Sequence, residues 1–238
     1  MSEGCDRRTF VKGSLAASTA LGLASGSAFG GVAAQGTEPS KTPLPQRTLG
    51  KTGRQVSIYG LGGLFTVSMH DRHDEAVEIV NRAIDLGVNY IDTSAWYGTG
   101  ASELNIGTVM KKRRSEVFLA SKSHDYTYDG TMALFDQTLK RLQTDHLDLY
   151  QHHMLGGFAK LEQLHQKHTA REAFEKLRDK GAIRYIGVTS HSSRVLADAL
   201  EDYPYDCALI TLNAAGAVMD DPEDLDRFFR VAKAREVG

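Results

Sequence analysis

From position 58 onward, short apolar runs alternate with longer stretches in which apolar residues recur every three or four positions. The first run, 58–63, reads as a strand. The stretch 74–86 that follows carries Ala76, Val77, Val80, Ala83 and Ile84 at helical spacing, with Gly87 as the stop. The unit repeats with strand 89–93 and helix 102–112, strand 117–121 and helix 131–142, and strand 147–152 and helix 170–180. Strand 183–188 with helix 193–201, and strand 207–212 with helix 222–234, complete six units. Ahead of them, 47–57 places strand-like residues on both sides of Lys51-Thr52-Gly53, which predicts a short hairpin.

Several strands lack a clean two-residue alternation, as expected when both faces of a sheet are covered. Strands alternating with helices imply a parallel α/β sheet, either doubly wound or closed as a (β/α)8 barrel. Gly60, Gly62 and Gly63 after the first strand lack the Gly-x-Gly-x-x-Gly spacing of the doubly wound nucleotide folds. Polar residues near the ends of different strands, Asp92, Tyr97, Lys122 and His153, favour the barrel, whose strand ends open onto one face. The expected fold is therefore a TIM-barrel type with about six of eight β/α units present, and the hairpin would plug its bottom. The sequence stops at Glu236-Val237-Gly238, where a seventh strand is expected. A fragment, a degenerate gene product and a self-completing oligomer all fit that count, and the fragment is preferred.

A formal charge of −2 excludes a broad electrostatic attraction to nucleic acid. The basic run from Lys111 to Arg114 reads as a solvated helix end. Only Cys5 and Cys207 are present, too few for a disulfide framework once the leader is removed. That leader is residues 1–34: Arg7-Arg8 with Phe10 and Lys12, then a mildly apolar stretch rich in Ala, Gly and Ser. It resembles a bacterial twin-arginine export signal, with cleavage expected after Ala34 and delivery to the periplasm or outside the cell. Its glycines dilute the hydrophobicity a stable membrane anchor needs. Residues 35–46, with Pro39, Pro43 and Pro45, read as a linker, and the folded domain is expected over 47–238.

The segment Asn89-Tyr90-Ile91-Asp92-Thr93-Ser94-Ala95-Trp96-Tyr97-Gly98 resembles the signature of the aldo-keto reductases. So do Ser102-Glu103-Leu104 through Gly107, Phe118-Leu119-Ala120-Ser121-Lys122, and Leu147-Asp148-Leu149-Tyr150-Gln151-His152-His153. The resemblance implies reduction of an aldehyde or ketone by hydride transfer from NADPH or NADH, with NADPH preferred. Tyr97 would be the proton donor, since negative charge develops on the carbonyl oxygen. Lys122 and Asp92 would tune it, and His153 would orient the carbonyl. Adjacent His152 competes for that last role, because strand alternation lets only one of two neighbours face the interior.

Where the family ends its fifth strand with Ser-Asn, this chain has Thr189-Ser190-His191, and no Gln lies between Cys207 and Asn213. Thr189, Ser190 and Asn213, with Asp92, are the candidate cofactor residues, since a hydroxyl and an amide still bond a carboxamide. Glu162, His165 and His168 share a spacing that would suit a metal ion, but a solvated face explains them more simply. The alternative to a reductase is a non-catalytic domain that keeps the pocket as a binding or assembly surface.

Overall fold

The computed structural model describes residues 44–216 and 220–238. The export signal and most of the linker expected ahead of the domain lie outside the described residues. β1 (Gln46–Thr48) and β2 (Gln55–Ser57) form the antiparallel hairpin, turned by a single 3₁₀ turn and by Gly53 in the left-handed region. A six-stranded parallel sheet follows in strict chain order: β3 (Leu61–Gly62), β4 (Tyr90–Asp92), β5 (Phe118–Ser123), β6 (Leu147–His152), β7 (Ile183–Ser190) and β8 (Cys207–Ile210). Between them run α1 (His73–Asp85), α2 (Ala101–Arg113), α3 (Tyr128–Leu142), α4 (Ala170–Asp179) and α5 (Ser193–Asp202), and α6 (Pro222–Ala234) closes the order. This is six strands of an eight-stranded barrel, with the hairpin at its N-terminal end. No helix among the described residues is long and apolar enough to cross a membrane.

Most boundaries shift by one to three residues from the sequence reading, and two of the shifts bear on the site. The strand expected over 58–63 contracts to Leu61–Gly62, the only two residues in register with β4, while Ile58 stays with the hairpin through its amide bond to Pro45. β5 runs two residues past Ser121, so Lys122 lies within a strand rather than after it. At the other edge, Gly238 donates to the Asp206 carbonyl and accepts from the Ala208 amide, continuing the parallel ladder beside β8.

The register divides the sheet into two faces. Ile91, Leu119, Tyr150, Ile186 and Val188 point outward into the large core shared with the helices. Phe118, Ala120, Leu149 and Cys207 point inward, where Tyr90, Phe118 and Tyr185 stack in a row and Val56 of the hairpin closes the bottom. Tyr185 ties strand to hairpin by donating its hydroxyl to the Thr52 carbonyl at 2.9 Å. At the same end, buried Asp148 accepts from Arg114 (2.7 Å), Arg184 (2.7 Å) and the Leu119 amide (2.9 Å). One carboxylate thus fastens β5, β6 and β7 together.

His152 belongs to the outer face. It is fully buried, stacked on Phe174 at 4.3 Å and on Tyr126 at 5.6 Å, with Tyr205 at its edge, and neither ring nitrogen has a partner among the described residues. Burial, reinforced by Arg171, pushes its pKa down to about 3.

Two stability tests follow. Asp148→Ala strands two guanidiniums and a buried amide, and is expected to cost about 3 kcal/mol by urea denaturation. His152 is neutral when folded and takes up a proton near pH 6.5 when unfolded, so stability falls as pH drops from 6.5 toward 3. His152→Phe keeps the stack and removes the titration. The stability difference between pH 7.5 and pH 5 should shrink by about 2 kcal/mol relative to wild type.

Candidate active site

A buried ammonium must have its protons taken, or its burial costs several kcal/mol. Lys122, 1% exposed, meets that requirement with three acceptors. It donates to Asp92 Oδ2 at 2.5 Å, to the Thr93 carbonyl at 2.8 Å and to the Tyr97 hydroxyl at 3.2 Å. Its Nζ also lies 4.7 Å from the centre of the Tyr97 ring. With the ammonium donating to it, the Tyr97 oxygen keeps its own O–H for another acceptor.

Each partner is placed by the sheet. The pairing Asp92↔Ala120 puts the carboxylate and Lys122 on the same inner face of adjacent strands. Asp92 Oδ1 accepts from Gln151 Nε2 at 3.2 Å, so the carboxylate is held from two sides. Gln151 reaches it because Gly187 lies opposite on β7: a Cβ there would come within 2.9 Å of the Gln151 side chain. Tyr97 opens a tight turn in which Gly98 and Thr99 both adopt left-handed backbone, and the Gly98 backbone lies against the Ser68 carbonyl with no room for a side chain.

His153, the residue after β6, faces the same space. Its ring sits edge-on to Tyr97 at 5.6 Å and to Phe158 at 5.5 Å, and its Nδ1 pairs with Ser94 Oγ at 3.1 Å. Burial and then the Lys122 charge push its pKa down to about 3, so the ring is neutral at physiological pH. Of the two adjacent histidines, His153 lines the cavity and His152 sits behind the sheet.

That cavity has a volume of about 260 Å³, and Tyr97, Lys122, His153, Thr189 and Ser190 are in its wall. Asp92 lies one step behind, beneath Lys122. The cofactor candidates occupy different environments. Thr189 Oγ1 accepts the Met154 amide at 2.9 Å and keeps a hydroxyl proton to give. Ser190 Oγ donates to the Leu155 carbonyl at 2.6 Å and accepts from the Ser192 amide at 3.1 Å, so its hydroxyl serves the local backbone. Asn213 is exposed on the turn beyond β8, outside the cavity wall, with its Oδ1 accepting from the Ala215 amide at 3.1 Å. A nicotinamide carboxamide would therefore find its hydroxyl donor at Thr189. Hydroxyl, imidazole and ammonium groups around a part-apolar wall suit such a ring.

Two site residues were not anticipated. Ser94 lay inside the quoted 89–98 segment but was one hydroxyl among several there. Gln151 sat two residues before His153 on the same alternating face, a signal available in the sequence. Away from the site, His165 and His168 bond different carboxylates, Asp202 and Asp129, and no group of metal-ligating side chains occurs among the described residues.

Comparison with known proteins identifies the family. The Aldo/keto reductase family model matches residues 58–234. An uncharacterized oxidoreductase of Bacillus subtilis, YqkF, is 32% identical over 167 residues, covering 65% of this chain and 52% of the relative. L-galactose dehydrogenase of Arabidopsis thaliana is 32% identical over 174 residues, covering 68% of this chain and 54% of the relative. The chain thus spans about half the length of these curated relatives. An aldo-keto reductase from Bacillus halodurans in its holo form superposes with a TM-score of 0.67 at 25% identity, covering 82% of this chain and 64% of that structure. By the span of the family match, this chain belongs to the aldo/keto reductase family.

Proposed function

We propose that this chain reduces an aldehyde or ketone using NAD(P)H, with NADPH preferred, and that Tyr97 delivers the proton. The observation that carries this reading is the Lys122 ammonium shared between Asp92, the Thr93 carbonyl and the Tyr97 hydroxyl. Carbonyl reduction leaves negative charge on oxygen, and a donor beside it lowers the barrier. A phenol is a reluctant acid, with an ordinary pKa near 10. The fixed cation lies beside the negative charge left on the Tyr97 oxygen as its proton is delivered, and Asp92 holds that cation in place. Bound nicotinamide supplies the hydride.

His153 orients rather than titrates. Ser94 Oγ accepts the Trp96 amide and pairs with His153 Nδ1; in the tautomer in which Nδ1 accepts from that hydroxyl, the neutral ring carries its hydrogen on Nε2 as a donor for the substrate oxygen. Thr189 is assigned to the carboxamide, Ser190 to the loop that frames it, and Asn213 to the rim of the cofactor groove. We also propose that residues 1–34 direct export by the twin-arginine route to the periplasm, that 35–46 link them to the domain, and that 47–238 carry the reductase fold.

A second reading has an observation in its favour: the Ser190 hydroxyl is already spent on the backbone. On that reading the pocket binds a nucleotide without turnover. Fluorescence titration with NADPH followed by an assay on a generic aldehyde separates the two, since binding with no turnover by wild type supports the second.

On the reductase reading, Tyr97→Phe should lower kcat about 100- to 10,000-fold while leaving the NADPH titration unchanged. Turnover unaffected by this substitution would defeat the mechanism. Because His153 stays neutral well below pH 6, the wild-type kcat profile should show no inflection near pH 6.5. His153→Gln should lower kcat without changing the shape of that profile.

A further inference from the structure

The N-terminal end of the sheet, opposite the Tyr97 cavity, carries a second concavity. Just before β5 and β6 and at the start of β7, a cleft of about 460 Å³ is lined by nine residues, none of them acidic. Five are Lys or Arg: Arg54, Lys111, Lys112, Arg114 and Arg184; His146 adds a sixth nitrogen base. They come from the hairpin, the last turn of α2, the turn after it and the starts of two strand segments. In a chain of net charge −2, this concentration is a local feature.

The cations are not equivalent. Arg114 is a structural floor: it bonds Thr144, the Val117 and His146 carbonyls and Asp148. Arg184 is 46% exposed and gives one guanidinium nitrogen to Asp148, leaving its other donors toward solvent. Arg54, Lys111 and Lys112 are exposed and enter no ion pair among the described residues. Favourable interaction with the C-terminal end of a helix accounts for Lys111 and Lys112. It does not account for Arg54 on a hairpin or Arg184 on a strand, which face the same space. Gathered cations repel one another unless an anion joins them.

We infer that this cleft binds a small soluble anion carrying two or three adjacent phosphoryl groups. Arg54 and Arg184 offer forked donors that match phosphate oxygens, and Lys111 and Lys112 add mobile point charges. Three free cations and a half-committed Arg184, on three separate segments, exceed what one phosphate neutralises. The charge is confined to a cleft rather than spread as a stripe, so the occupant is a compact anion and not a nucleic acid. The site is independent of the reductase chemistry at the other end.

Calorimetric titration with sodium tripolyphosphate at fixed ionic strength tests it. Wild type should bind one equivalent saturably and melt at a higher temperature in its presence. The exposed double variant Lys111→Ala/Lys112→Ala should bind about tenfold or more weakly, and Arg54→Ser should weaken binding further. Circular dichroism would check that both stay folded. Equal affinity in the variants would overturn the proposal. So would binding of DNA or anionic vesicles with none of tripolyphosphate.

Discussion

The candidate site depends on keeping one ammonium charged inside a protein. Lys122 is among the largest fully buried side chains of the chain, and burial of that charge is tolerable only because three oxygens surround it. Those oxygens come from the end of β4 and from the turn after it. Their placement in turn demands the β4 to β5 register and the left-handed backbone at Gly98 and Thr99. The requirement to satisfy the cation therefore fixes the phenol that it touches. Stability and chemistry share one interaction here, since a rearrangement that freed Tyr97 would also strand the lysine.

The second organising constraint is the alternation of side chains across a sheet covered on both sides. Outward positions meet helices and pair an apolar majority with buried polar groups such as Ser121 and His152, whereas inward positions change character along the strand. Near the hairpin they are Tyr90, Phe118 and Tyr185. One step on, they are Asp92 and Ala120, then Lys122 and Gln151 beside Gly187. His152 and His153 show what one residue of register is worth. Both rings are pushed to a neutral state by burial, yet one is a stacked core member and the other faces a cavity.

Much of this was legible in the residues. Period and punctuation located all six helices; 222–234 matches α6 without adjustment, because Pro222 and the acidic first turn mark its start unambiguously. Strand ends were less legible. Lys122 reads as lying just past the strand, since a charge after Ser121 breaks the apolar run, and its place inside β5 rests on a carboxylate 30 positions earlier. The reduction of the first strand to Leu61–Gly62 reflects how few residues find a pairing partner in β4, which no local pattern encodes. Asp92, Tyr97, Lys122 and His153 were readable because four segments resembled one family in order. Ser94 and Gln151 were not singled out, and the spent hydroxyl of Ser190 depends on loop geometry that sequence leaves open.

The two ends of the sheet handle charge in opposite ways. At the Tyr97 end, the lysine, carboxylate, amide and imidazole are each bonded to at least one of the others or to a neighbouring hydroxyl, so the field there is fixed before any ligand arrives. At the Arg54 end, Asp148 and Arg114 form a comparably fixed base, but Arg54, Lys111 and Lys112 are exposed and enter no ion pair among the described residues. A preorganised field suits a reaction whose charge develops within one site. An unmatched one has no structural use until a counter-charge occupies it, and Asp148 cannot be that charge because its oxygens are already committed to β5 and two arginines. The same buried carboxylate that holds three strands together therefore leaves Arg54, Lys111 and Lys112 on its rim without an ion-pair partner among the described residues.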